Sequence, residues 1–380
     1  MNWRAEHEAF RASVRSFVER EIAPHIHAWD EAGSFPRELY AKAAALGLLG
    51  IGYPEALGGT PADTGYRLVA TEEIARAGSG GLMAGLFSHN IGLPPIVAQG
   101  SAALKQRIVP PVLAGRQVAA LAITEPSGGS DVARLRTTAR LEEGHWVIDG
   151  EKVFITSGLR ADWLTVAVRT GGPGAGGISL LAVPGDTPGL QRTPLQKMGW
   201  WCSDTAHLRF DGCRVPADHL IGEAGQGFRT IMHNFNDERL MLAAGALAFA
   251  QVCHDEALDW ARQRQTFGAP LVAHQVIRHK LMDMHMRLAS TRHWLHALAD
   301  ALDHGRTGAE WVAELCLLKN HATQTLQFCA DQAVQILGGM GYMRGVKSER
   351  IYREVKVMMI GGGTEEIMKE LAARQLGVGA

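Results

Sequence analysis

Apolar residues from the start of the chain to about residue 117 recur at helical spacing, as at Phe10, Val14, Phe17 and Ile22 before Pro24 ends the run, which predicts a helical unit. From about residue 118 to 226 the pattern changes to short alternating or β-branched runs: VAALAIT, HWVIDGEKVFITSG, WLTVAVRT, ISLLAVPG and TAHLRF. Asp149-Gly150 reads as a hairpin turn within the second of these. From about residue 227 onward, long helical patterns return with few breakers until Gly338-Gly339, followed by a shorter pattern near the end. The expected fold class is α+β: an N-terminal helical domain over residues 1–117, a central antiparallel β domain over 118–226 and a C-terminal four-helix bundle over 227–380. Helices, then strands, then helices is not the βαβ alternation of a doubly wound nucleotide fold. The glycine-rich stretch at 171–177 lies between two strand patterns and lacks the lysine of a phosphate loop, so it reads as a hairpin connection.

A chain of 380 residues is long enough for two or three packed units. A net charge of -1 with 20% charged residues supplies no field for nucleic acid or an anionic membrane. The five cysteines (Cys202, Cys213, Cys253, Cys316, Cys329) are odd in number and lack C-x-x-C spacing, which argues against a disulfide framework and a thiolate metal site. They read as reduced thiols. The first residues alternate charge with apolar positions, unlike a targeting segment, and no apolar run approaches the roughly 18 residues of a membrane span. A soluble, cytoplasmic protein without membrane insertion or a metal is expected.

Four segments carry candidate chemistry. Thr124-Glu125-Pro126-Ser127-Gly128-Gly129-Ser130-Asp131 ends the first strand pattern, with glycines that admit a ligand to the backbone and hydroxyls that bond it; a tight turn is the plainer account. Phe154-Ile155-Thr156-Ser157 alternates a ring with hydroxyls, as any strand can. Arg264-Gln265-Thr266-Phe267-Gly268, followed by His274-Gln275, interrupts the helices with a cation, a ring and an amide suited to a pyrophosphate and a flat ring system. Gln335 to Gly341 closes a helix with glycines. His293 and His296 read as surface or helix-packing residues, while Trp200-Trp201 with Met198 fits either core or a substrate-chain lining.

Read together, ITEPSGGSD, DGEKVFITSG, RQTFG with HQ, AVQILGGMGY and GGGTEEIMKEL resemble the acyl-CoA dehydrogenase family, in its order and over nearly the whole chain. The resemblance implies FAD between the β unit and the final bundle, an acyl-CoA substrate, a homotetramer built as a dimer of dimers, and an electron-transfer flavoprotein as acceptor. It places Leu121, Ile123, Thr124, Gly129 and Ser130 at the isoalloxazine ring and nearby backbone, with Phe154 and Thr156 on its other side. Arg264, Phe267, Gln275, Gln335 and Gly339 would reach the FAD of the adjacent subunit, and Thr364 and Glu366 would complete the site. Ser130, Asn236, Arg239 and Gly362 would contact substrate. An oxidase of the same fold, or a flavin-binding relative without dehydrogenase activity, are the alternatives.

Many family members carry the catalytic glutamate immediately before the Gly-Thr of the last motif, where this chain has Gly362. A minority, including isovaleryl and long-chain types, carry it on the first helix of the final bundle in a string ending Glu-Arg-Leu. Here Asn236-Asp237-Glu238-Arg239-Leu240 stands there, making Glu238 the candidate base. Leu242, Gly245 and Phe249 follow it on the same helical face, an apolar stripe with one small residue. Asp237 and Arg239 are expected to point elsewhere. Burial would lift the Glu238 carboxyl from about 4.3 towards 6 or 7, matched to a weakly acidic α-proton.

Overall fold

The computed structural model describes residues 3–378. Its first unit contains α1 (Ala5–Phe17), α2 (Ile26–Ala32), α3 (Glu38–Ala45), α4 (Thr64–Ala75), α5 (Gly80–Leu86), α6 (His89–Gly92), α7 (Pro94–Gln99) and α8 (Ala102–Leu113). Val14, Phe17 and Ile22 are buried with Leu39, Ile74, Leu82 and Leu86 in one core, as their spacing predicts. Ser79 and Ser101 cap α5 and α8, accepting from the backbone N–H groups of Leu82 and Leu104.

The middle unit contains β1 (Ala119–Ala122), β2 (Thr138–Glu142), β3 (His145–Thr156), β4 (Trp163–Arg169), β5 (Ile178–Pro184), β6 (Leu190–Pro194), β7 (Thr205–Pro216) and β8 (Leu220–Ile221). The strands lie in the order β6-β7-β3-β2-β4-β5-β8, with β1 also on β4. Most pairs are antiparallel, but β1 runs parallel to β4 and one parallel link joins Thr138 to Arg169. Strands β4 and β5 are buried along nearly their whole length because both faces are covered. Leu164, Val166 and Val168 face the interior of the sheet, whereas Trp163 and Ala167 pack with Ile108, Val109 and Val112 of α8.

The expected turn at Asp149-Gly150 is not a turn. It lies inside β3, and the hairpin from β2 closes two-residue fashion on Glu143-Gly144, both at positive φ (49° and 78°). Gly150 marks a register shift against β7 and a close approach: a β-carbon there would stand 2.7 Å from Thr137 Cα. Two acidic-Gly pairs lie in the same stretch, and sheet register chooses between them.

The last unit contains α9 (Gly227–Gln263), a small hairpin of β9 (Gln265–Thr266) and β10 (Ala269–Pro270), then α10 (Gln275–Asp303), α11 (Ala309–Leu337), α12 (Lys347–Ile360) and α13 (Glu365–Gln375). Helices α9 to α12 form the bundle, and α13 is added on α11 through Met368 and Ala372 against Ala313 and Cys316. Ala243, Ala244, Ala246 and Ala250 of α9 share a core with Ala322, Ala330 and Ala333 of α11, small residues that let two long helices approach closely.

Two contacts fix the units around the start of α9. Arg67 of α4 grips the Asp237 carboxylate with both guanidinium arms (2.6 and 2.7 Å). Glu354 of α12 accepts from the N–H groups of Gly80 (2.6 Å) on α5 and Trp200 (3.3 Å) in the β6–β7 connection, so one buried carboxylate touches all three units. Beside it Trp201 lies under the Arg353 guanidinium at 3.7 Å. The tryptophan pair is therefore a junction between units.

Candidate active site

Glu238 sits on α9, one turn before Leu242. Its Oε2 is enclosed and has no hydrogen-bond partner. Desolvation pushes the carboxyl up to about 7, against the opposing pull of the Arg239 and Lys319 cations. An unpartnered acid at that value can be ionised and neutral in turn near neutral pH, as a base must be. Further along the same face, a β-carbon on Gly245 would touch Met83 Sδ (3.5 Å) of α5 and Met358 Cε (3.6 Å) of α12, and Phe249 is buried beyond it. The wall is apolar and pliable, because both methionines are unbranched.

Opposite Glu238 runs the connection from α12 to α13, Gly361-Gly362-Gly363-Thr364. Gly362 has φ 69°, and a β-carbon there would come to 2.5 Å from Leu242 Cδ1 and 3.9 Å from Glu238 Oε1. The positive φ favours glycine here, and a side chain would also have to displace the end of Leu242. The loop's carbonyls are held from two helices: Arg239 Nε donates to Gly362 O (3.2 Å), and Lys319 Nζ donates to Gly363 O (2.8 Å) and Met359 O (3.2 Å). Asn320 Nδ2 adds a bond to Glu365 O at 2.9 Å. Thr364 caps α13, accepting from Ile367 N–H, and Glu366 is exposed in the first turn.

Asp237 does point away, towards Arg67, whereas Arg239 does not point away from the loop that faces Glu238. Its side chain is long enough to turn back to the glycine loop, where an unpaired carbonyl needs a donor, and it also reaches Asn236 Oδ1 at 3.0 Å. Sequence reasoning passes over Lys319. The available signal was a lysine directly following the apolar run Leu315-Cys316-Leu317-Leu318.

On the β unit, Val153 N–H donates to Thr124 O at 2.8 Å, which brings the Thr124–Asp131 and Phe154–Thr156 segments side by side. Beneath them lies a buried ion pair that the sequence motifs do not announce: Lys152 Nζ reaches Glu125 Oε1 (2.8 Å) and Ile123 O (3.0 Å). The Glu125 carboxylate further accepts from Arg136 N–H (2.6 Å) and Thr137 N–H (2.9 Å). Burial brings the lysine down to about 8 while its cation and these donors hold Glu125 below the usual carboxylate range, so both are charged at neutral pH. Pinned at this end, the loop leaves Gly128, Gly129 and Ser130 exposed. Ile123 is buried in the core behind this loop, and Leu121 packs against the same core while remaining partly exposed. Phe154 stands 68% exposed at φ 62°, with Thr156 half-buried nearby.

The remaining predicted residues gather at the far end of the bundle. The β9–β10 hairpin turns on Phe267-Gly268, both at positive φ (51° and 78°), and throws the Phe267 ring out to 99% exposure. Arg264, Gln275 and Gln335 are exposed as well, and β-carbons on Gly338 and Gly339 would meet nothing within 4 Å. An unpacked ring, a cation, two amides and an open glycine shelf form a donor set that suits a flat, charged group brought from outside this chain. His293 is exposed, and His296 packs edge-on against Trp3. Among the described residues no cluster of side chains could hold a metal ion, and no helix is long and apolar enough to cross a membrane.

The N-terminal, middle and C-terminal domain models of acyl-CoA dehydrogenases match residues 4–116, 120–213 and 225–377. The probable acyl-CoA dehydrogenase YngJ of Bacillus subtilis is 37% identical over 375 residues, covering 98% of this chain and 98% of its own. Mitochondrial isovaleryl-CoA dehydrogenase of Oryza sativa is 37% identical over 375 residues, covering 97% of this chain and 90% of its own. A solved structure of a putative acyl-CoA dehydrogenase from Mycobacterium smegmatis superposes with a TM-score of 0.97 at 46% identity, covering 100% of this chain and 99% of that one. Likeness of this extent, running through all three units in the same order, means that the chain belongs to the acyl-CoA dehydrogenase family.

Proposed function

We propose that the protein is an FAD-dependent dehydrogenase that converts an acyl-CoA thioester to the trans-2-enoyl-CoA, with Glu238 as the base. The observation that carries this reading is the Glu238 carboxyl, with its Oε2 enclosed and unpartnered and its value raised to about 7, beside a loop whose Gly362 has no acid of its own. FAD, when bound, supplies the two-electron oxidation of the Cα–Cβ bond. Leu121, Ile123, Thr124, Gly129, Ser130, Phe154 and Thr156 would hold it from the β unit. Arg264, Phe267, Gln275, Gln335 and Gly339 reach it from an adjacent subunit, and Thr364 and Glu366 complete the site. The exposed Phe267 ring and open Gly338-Gly339 shelf support a cofactor shared between subunits.

Glu238 takes the α-proton and becomes neutral, a form its apolar surroundings favour. The Gly362 N–H meets the thioester oxygen as negative charge develops there. Arg239 shapes this site indirectly, by holding Gly362 O and Asn236 Oδ1. Asn236 and Ser130 contact the thioester arm. The acyl chain runs along Leu242 and Gly245 towards Met83 and Met358, a pliable wall that suits a long or branched chain. An electron-transfer flavoprotein would be the electron acceptor. A homotetramer is supported by Met282 and Met286, exposed one turn apart on α10, and a cytoplasmic setting by five free, buried cysteines.

The purified protein is expected to be yellow, and Glu238→Gln to retain its FAD while losing anaerobic bleaching by a panel of straight and branched acyl-CoAs. Bleaching at the wild-type rate in that variant would sink the base assignment. Peroxide formed in air at the rate of substrate turnover identifies an oxidase instead, and a wild type that no acyl-CoA bleaches is a flavin-binding relative without this activity.

A further inference from the structure

Lys319 has no exposed surface and follows an apolar run on α11, a costly place for an ammonium group unless its N–H donors find acceptors. Its acceptors are specific. Met359 O (3.2 Å) is in the last turn of α12, and Gly363 O (2.8 Å) belongs to the loop facing Glu238. Arg239 holds the carbonyl between them, Gly362 O, from the opposite helix at 3.2 Å. Two cations on different helices thus grip one short segment of backbone, and the unpartnered Glu238 carboxyl lies within the field of both.

The charged neighbours of Glu238 are Arg239 and Asp237 on its own helix and Lys319 on α11. Around Lys319 stand Glu365 of α13, Arg239 and Cys316. Arg239 is committed to Gly362 and Asn236, and Asp237 is neutralised by Arg67. Lys319 thus shares with Arg239, whose charge acts more strongly on Glu238, the double role of donating to the loop and placing a cation near the base.

We propose that Lys319 is a positioning residue for the dehydrogenation: together with Arg239 it holds the glycine loop against Glu238 and keeps a positive charge within reach of that carboxyl. The proposal rests on Glu238 being the base. A lysine that only ties α11 to α12 would affect stability and leave the titration of Glu238 where it is.

The two are separated by pH profiles of kcat and KM for FAD-loaded holoenzyme carrying Lys319→Met, Lys319→Gln or Lys319→Arg. Lys319→Gln keeps amide donors for the carbonyls and removes only the charge, so it carries the test if Lys319→Met does not fold. In both uncharged variants the acid limb of kcat is expected to move up by about one pH unit, a roughly tenfold loss on that limb, with KM little changed. Lys319→Arg is expected to restore the limb. An acid limb superimposable on wild type in FAD-loaded Lys319→Gln, with only the melting temperature lowered, would overturn the role of Lys319. Glu238→Gln run alongside keeps the failures distinct. If it still bleaches, the base assignment falls and this proposal with it; if it is dead while the Lys319→Gln limb is unmoved, Lys319 alone is wrong.

Discussion

Glu238 Oε1 stands 3.9 Å from the point a β-carbon on Gly362 would occupy, and Leu242 Cδ1 already reaches to 2.5 Å of that point. In the proposed site one acid on α9 faces the glycine loop before α13.

Moving the base to the loop is therefore expected to fail without further change. Gly362→Glu places a side chain at φ 69°, costing about 1 to 3 kcal/mol of strain, and overpacks Leu242 by a similar amount. Glu238→Gln/Gly362→Glu should melt lower than Glu238→Gln and stay inactive, whereas adding Leu242→Ala should recover measurable bleaching. Activity in the double variant without the Leu242 change would contradict the clash.

Glu238 should cost the fold stability. Its value of about 7 lies above the ordinary 4.5, so the native state binds the extra proton between those pH values and stability falls as pH rises through that window. Glu238→Gln is expected to match wild type near pH 5 and to exceed it by about 1 to 3 kcal/mol above pH 7. Chemical denaturation at the two pH values measures this, and a variant less stable at both would refute it.

The Glu125–Lys152 pair should control flavin retention through the loop it anchors. Lys152→Met leaves a buried carboxylate without its cation, at a cost of roughly 3 to 5 kcal/mol, and should release FAD on gel filtration. Glu125→Gln/Lys152→Met should recover part of that loss. Full FAD content and an unchanged melting temperature in Lys152→Met would show that the loop does not depend on the pair.

Gly245 should set acyl-chain preference. A β-carbon fits there at 3.5 Å from Met83, so Gly245→Ala should fold normally and lower kcat/KM for long chains about tenfold with little change for short ones. Met83→Ala should shift preference the other way. Chain-length profiles that do not move in either variant would place the acyl chain elsewhere.

Much of the site is legible in the chain because it depends on neighbours a few residues away. The apolar period of α9 puts Glu238, Leu242, Gly245 and Phe249 on one face, and glycine at 362 takes the acid out of the loop by its identity alone. Local pattern is less decisive where two answers satisfy it. Asp149-Gly150 and Glu143-Gly144 both suit a tight turn, and pairing of β3 with β2 and β7 selects the second. Leu121 lies on the strand its pattern predicts and Ile123 just past the strand's end, and how far each is buried depends on helices packed behind the sheet.

By itself, then, the sequence determined the three units through periodicity, and through its resemblance to a family it pointed to an acid on α9 and a loop without one. Only tertiary structure decided that Lys319 and Arg239 grip that loop, that Lys152 pins another, and that the Glu238 carboxyl is left unpartnered near 7. These are properties of groups far apart along the chain, and desolvation and charge act through the space that packing encloses.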